Sequence, residues 1–108
     1  MERLGDESVG RATVSADADA DRIVVAMAGE IDLSVVDDLR ASILPSLDGG
    51  AVDVVLDLSD VGFLDSSGIT LLLEIGRRAR SIRLRGASSP VRLVIDATGL
   101  ADWFPAES

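Results

Sequence analysis

Apolar and polar positions along the chain follow two rhythms, one of period two and one near 3.6. Ala12 to Ala16 is a first, weak strand and Ile23 to Ala28 a second. The acidic stretch Asp17-Ala18-Asp19-Ala20-Asp21 between them reads as a turn, which predicts a hairpin closed by Gly29. Glu30-Ile31-Asp32-Leu33 leads into a helix, with Ser34 and Asp37 spaced as a capping box. Val35, Val36, Leu39, Ile43 and Leu47 then recur at helical spacing. Pro45 leaves the end of that helix open, and Gly49-Gly50 stops it. Val52, Val54, Val55, Leu56 and Leu58 form the β-branched-rich run of an interior strand. From Ile69 to Arg80 the pattern is helical again: Ile69, Leu72, Leu73 and Ala79 make one side, widened by Leu71 and Ile75. Ile82 and Leu84 alternate with Arg83 and Arg85 as a short, half-exposed strand. Pro90 suits a first helical position, Val91, Val94 and Ile95 are the stripe behind it, and Thr98-Gly99 closes the helix. Leu100, Trp103 and Phe104 fold back, with Trp103 and Phe104 as a lid on the core. The order β-β-α-β-α-β-α predicts an α/β fold, a mixed β-sheet with helices packed against one face.

Composition narrows what such a domain does. The 108 residues suffice for one core, so residues 12–108 are expected to form a single domain behind a loose N-terminal segment, 1–11. Cysteine and histidine are absent, which removes thiol and imidazole chemistry and the usual zinc sites. Paired carboxylates invite a hydrolase reading, but no catalytic constellation accompanies them. The expectation is a protein that is not an enzyme and uses no cofactor or metal. No apolar run approaches a membrane span and Met1 to Asp6 lacks a signal-peptide core, so a cytoplasmic location with no membrane partner is expected.

The net charge of −9 opposes binding to nucleic acid. It is unevenly spread: residues 1–76 hold 4 Arg against 16 acids, and residues 77–108 hold 6 Arg against 3. Arg77, Arg78, Arg80, Arg83 and Arg85 carry most of the basic share, as suits a helix C-terminus and an exposed strand face.

Candidate chemistry concentrates in Gly62-Phe63-Leu64-Asp65-Ser66-Ser67-Gly68-Ile69, between the interior strand and the second helix. A helix N-terminus carries unpaired N–H groups and a partial positive charge, which receive a phosphate well. With no base or second nucleophile beside them, the two hydroxyls suit modification by another protein. Spacing alone reads Ser66 or Ser67 equally as a helix cap, Asp65 as a turn or cap residue, and Glu30 and Asp32 as the end of the hairpin.

Three segments together resemble the STAS domain family of anti-sigma factor antagonists. They are Gly29-Glu30-Ile31-Asp32, the run from Val54 to Gly68, and Ser89-Pro90-Val91 through Thr98-Gly99-Leu100. The resemblance implies partner switching in transcription regulation. The unphosphorylated protein binds an anti-sigma factor that is also a serine kinase and so frees a sigma factor. Phosphorylation breaks that complex, and a PP2C-type serine phosphatase restores it. Carried onto this chain, the phosphoacceptor is Ser66 rather than Ser67, and the partner-binding surface is Asp65, Ser66, Ser67 and Gly68 with Glu30 and Asp32. Two departures stand out: Pro45 in the first helix and a short link between Arg80 and Ile82. The alternative is a STAS scaffold module in a transport or signalling complex, never phosphorylated.

Overall fold

The computed structural model describes residues 9–16, 22–48 and 52–107. Most of the N-terminal segment (1–8), the acidic turn (17–21) and the Gly49-Gly50 stop lie outside the described residues. Four strands, β1 (Arg11–Ala16), β2 (Arg22–Ile31), β3 (Asp53–Leu64) and β4 (Ser81–Arg85), form one sheet in the order β1-β2-β3-β4. β1 pairs antiparallel with β2, while β2–β3 and β3–β4 are parallel. Three helices connect and follow them: α1 (Val36–Ile43), α2 (Ser66–Arg78) and α3 (Ser89–Ala97). The predicted mixed sheet and element order are those observed.

The alternation within each strand puts one side of the sheet under the helices. Val25 and Met27 of β2, Val54, Leu56 and Leu58 of β3 and Leu84 of β4 are buried in the core. From the helices come Val36, Leu39 and Ile43, then Ile69, Leu71, Leu72 and Ile75, then Val91 and Ile95. Each side chain taken out of water in this way contributes about 1.5–3 kcal/mol. Arg83 and Thr13 lie exposed on the opposite side.

β3 runs six residues past Leu58, where its apolar run breaks. Its register with β2 slips between Ala26 and Ala28 and again between Gly29 and Glu30, each time leaving an additional residue on β3. These are β-bulges, and they let a 12-residue strand follow a 10-residue one. The Asp57 carboxylate shapes the first bulge by accepting the Ser59 amide at 3.1 Å and the Ser59 hydroxyl. Those bonds hold the Asp57 carboxyl below its ordinary range. Likewise Gly29 does not end β2. Its φ of 85° accommodates the second slip, and Glu30 and Ile31 remain in the strand.

Other local expectations change for identifiable reasons. Ser34 caps nothing. The N-cap position of α1 is Val35, with no side-chain cap, and Asp32 closes the turn before it: Asp32 Oδ1 accepts the Ser34 amide at 3.0 Å and the Ser34 hydroxyl at 2.6 Å, while its carbonyl accepts the amides of Val35 and Val36. α1 ends at Ile43, and Pro45 sits in the first turn of a 3₁₀ helix, Leu44–Leu47, where no intrahelical donor is required. Pro90 is the second residue of α3, not the first. Phe104 is the lid, at 3% exposure, whereas Trp103 stands 60% exposed.

The short link after α2 is held by an ionic clamp. Arg80 donates to both Asp53 oxygens at 3.0 and 2.8 Å, and the Ser81 hydroxyl donates to Asp53 at 2.7 Å. Beyond α3, the chain lies along β4: the Leu84 amide donates to the Pro105 carbonyl at 2.8 Å, and the Glu107 amide to the Leu84 carbonyl at 2.7 Å. Arg85 grips Glu107 through two bonds of 2.6 and 2.8 Å. Half-buried and bidentate, this pair covers the β4 edge, which is otherwise open to pairing with another strand.

Candidate functional site

The carboxyl ends of the parallel strands β2 and β3 and the start of α2 meet at one end of the molecule. The Asp65 amide donates to the Ile31 carbonyl at 3.2 Å, tying the β3–α2 turn to the end of β2. Asp65 is extended and is the N-cap of α2; its Oδ1 accepts the amides of Ser67 at 2.8 Å and Gly68 at 3.1 Å. Neither serine is the cap. Two of the four free donors of the helix start are therefore filled by an acidic side chain that also suits the helix dipole.

That division of labour leaves Ser66 exposed as the first residue of α2. Its carbonyl accepts the Thr70 hydroxyl at 3.0 Å, and its own hydroxyl makes no hydrogen bond among the described residues. Ser67 is half-buried. A phosphate on Ser66 would not find the amides of Ser67 and Gly68 empty, as the bare sequence suggests, because Asp65 already occupies them. It would stand beside a carboxylate and project its charge outward.

Gly68 is buried and presents no side chain. A Cβ there would lie 2.3 Å from Leu64 Cδ1 and 3.0 Å from the Ile31 carbonyl oxygen, so glycine lets α2 start against β2 and β3. Glu30 is exposed on the last turn of strand before this junction and is paired in register with Phe63. Asp32 is half-buried and committed to its own turn. The two segments singled out from sequence thus share one end of the sheet, with Asp65 joined directly to Ile31.

Phe63 and Leu33 had no assigned role from sequence. Phe63 is 48% exposed and Leu33 is 74% exposed at this same end. The signal for Phe63 was present but masked: Leu58, Val61 and Leu64 are buried at intervals of three, so the residue before Leu64 faces out. Among the described residues, no group of three acidic side chains is placed to hold a metal ion, and no helix is long and apolar enough to cross a membrane.

This architecture has known counterparts. The family described as "Mlab, STAS domain" matches residues 14–105. The anti-sigma F factor antagonist of Lysinibacillus sphaericus is 30% identical over 87 residues, covering 76% of this chain and 74% of the relative. The structure of an anti-sigma factor antagonist from Mycobacterium paratuberculosis superposes with a TM-score of 0.81 at 25% identity, covering 92% of this chain and 86% of that one. The anti-sigma factor antagonist SpoIIAA in its unphosphorylated form gives 0.73 at 26% identity, covering 91% and 89%. Its phosphorylated form gives 0.67 at 25% identity, covering 91% and 92%. These relatives are regulators rather than enzymes. With the family match spanning most of the chain, this protein belongs to the STAS domain family of anti-sigma factor antagonists.

Proposed function

We propose that this protein binds an anti-sigma factor with serine kinase activity through the Ser66 end of the sheet, and that phosphorylation of Ser66 releases it. A PP2C-type phosphatase would then return the protein to its binding form. The observation that carries the reading is the state of Ser66: exposed, relieved of capping duty by Asp65, and without a hydrogen-bond partner for its hydroxyl among the described residues. A hydroxyl in that position is open to a kinase, and its loss takes no intramolecular contact with it. The existence of SpoIIAA in phosphorylated and unphosphorylated forms supports the same reading.

The switch needs no change of fold. Phosphorylation adds about −1.5 to −2 charges and three acceptor oxygens. An interface packed against a neutral hydroxyl must then desolvate a dianion already flanked by Asp65. An unpaired buried charge costs several kcal/mol, and about 1.4 kcal/mol is tenfold in affinity.

The test is calorimetry with the purified anti-sigma factor, alongside peptide mass spectrometry after incubation with that kinase and ATP. One phosphate is expected, on Ser66. Ser66→Ala and Ser67→Ala should bind as wild type, and Ser66→Asp and Ser66→Glu about tenfold or more weakly. Phosphate reproducibly on Ser67 would reject Ser66 as the acceptor, and no phosphate with equal affinity for all four variants would reject the switch and leave the unphosphorylated scaffold in its place.

A further inference from the structure

Five large apolar side chains are exposed among the described residues, and three of them gather at the Ser66 end: Val9, Leu33 and Phe63. Single exposed apolar residues are ordinary, but a group of them around one site is not. Val9 bridges to Glu30, and Glu30 pairs with Phe63, so the three form one row across the sheet. The next pair in register, Ile31 and Leu64, is the one to which Asp65 is tied. Leu33 stands in the turn that follows Ile31.

The rim around this group is acidic. Glu30 and Asp32 line one hollow with Val9, Asp65 lies two residues beyond Phe63, and Arg11 donates to the Val9 carbonyl at 3.5 Å. We propose that Leu33 and Phe63 are the apolar anchors of a docking surface whose partner presents an apolar hollow bordered by Arg or Lys. The charge argues for that occupant over two others. A second copy docking by the same face would bring the acidic rims together. An anionic lipid surface would meet the same repulsion. The proposal rests on the reading that the Ser66 end is where the anti-sigma factor docks, and adds which side chains hold it and what chemistry they meet.

Two arms of one experiment separate the proposal from that reading. In the first, amide shifts of the full chain are followed by NMR with three short amphipathic peptides: Leu/Arg, Ser/Arg and Leu/Glu. The Leu/Arg peptide should shift residues 31–34 and 62–66 well beyond the Ser/Arg peptide, and the Leu/Glu peptide should shift neither. Equal effects of Leu/Arg and Ser/Arg, or shifts confined to other regions, would overturn the anchors. In the second arm, Leu33→Ser and Phe63→Ser are titrated against the purified anti-sigma factor, with the exposed Leu93→Ser as control. Each anchor variant should bind about tenfold or more weakly and the control within about twofold of wild type. Added salt should weaken the wild-type complex, and less steeply so in Glu30→Gln.

If both anchor variants bind normally while Ser66→Glu does not, the anchors are wrong and the phosphoswitch stands. If the anchor variants fail while Ser66→Glu binds normally, the reverse holds. If the anti-sigma factor binds no form at all, the reading of function falls and the peptide arm alone decides the anchors. Should Phe63→Ser unfold, Leu33→Ser, lying in a turn, carries the second arm. Self-association of the wild type that Phe63→Ser abolishes would overturn the proposal in favour of a second copy.

Discussion

The same substitution at two glycines of α2 should act with opposite sign. In a helix, alanine is ordinarily favoured over glycine by about 0.5–1 kcal/mol, because glycine loses more backbone freedom on folding. At Gly76 the added methyl would find ordinary contacts, 3.8 Å from Ile82 Cδ1 and 4.0 Å from Phe104 Cε1. Gly76→Ala should therefore stabilise the protein by about that amount. At Gly68 the methyl would lie 2.3 Å from Leu64 Cδ1, 3.1 Å from Leu64 Cγ and 3.0 Å from the Ile31 carbonyl oxygen. Leu64 is 1% exposed and has little room to turn away, and the Ile31 carbonyl already accepts the Asp65 amide. Overpacking of this kind costs about 1–3 kcal/mol. Subtracting the helix gain leaves Gly68→Ala less stable by roughly 1 kcal/mol at the middle of those ranges and by up to about 2.5 at their extreme. In a domain of about 100 residues that lowers Tm by roughly 5–15 °C, against a rise of a few degrees for Gly76→Ala. Urea and thermal unfolding followed by circular dichroism measure both. Stabilisation by Gly68→Ala, or a shift of the same sign and size for the two variants, would refute the close approach of α2 to β2 and β3.

Other substitutions check separate parts of the description. Asp65→Ala should cost about 1 kcal/mol in urea unfolding by orphaning two amides, whereas Ser66→Ala should change stability by no more than a few tenths, because its hydroxyl makes no hydrogen bond among the described residues. The Asp53 carboxyl is held far below the usual carboxylate range, first by the bonds from Arg80 and then by that from Ser81. A lowered folded-state pKa stabilises above the unfolded value, about 4, and the contribution is lost as pH falls below it toward the folded value. Asp53→Asn should therefore be less stable than wild type at neutral pH, with the difference shrinking in acid, as thermal melts across pH would record. Phe104→Ala should cost about 3–5 kcal/mol and Trp103→Ala little, reversing the order expected from their sizes.

The fold was legible wherever burial follows a single period. The stripes of Val36, Leu39 and Ile43 and of Ile69, Leu72 and Ile75 fall on helices as read, and the serine pair does sit at a strand-to-helix junction. β3 was cut short because its two bulges turn the burial rhythm of Leu58, Val61 and Leu64 into a period of three, which no strand template matches. The Ser34 capping box at α1 does not form, and at α2 the reading left Asp65, Ser66 and Ser67 all open as caps, because short polar side chains compete at a helix start. Before α1, Asp32 draws Ser34 into a turn and Val35 is left at the cap position without a side-chain bond; at α2, Asp65 outreaches Ser66 and Ser67, and only backbone geometry decides such contests. Phe104 and Trp103 are adjacent, and which of them turns inward depends on the 3₁₀ turn of Ala101–Trp103, for which local composition holds no signal.

The tie between Asp65 and Ile31 bears on how Ser66 is read by any enzyme that modifies it. Ser66 is locked into a helical turn whose start is pinned from both sides, by the Asp65 amide to β2 and by the Asp65 carboxylate to the helix itself. Its setting thus includes Glu30 and Ile31, distant from Ser66 along the chain and brought beside the β3–α2 turn by the pairing of β2 with β3. A short linear peptide spanning residues 60–72 would carry the serine without its setting. If Ser66 is the phosphoacceptor, the flanking residues carry only part of what marks it; the rest is tertiary, a shape held by the sheet.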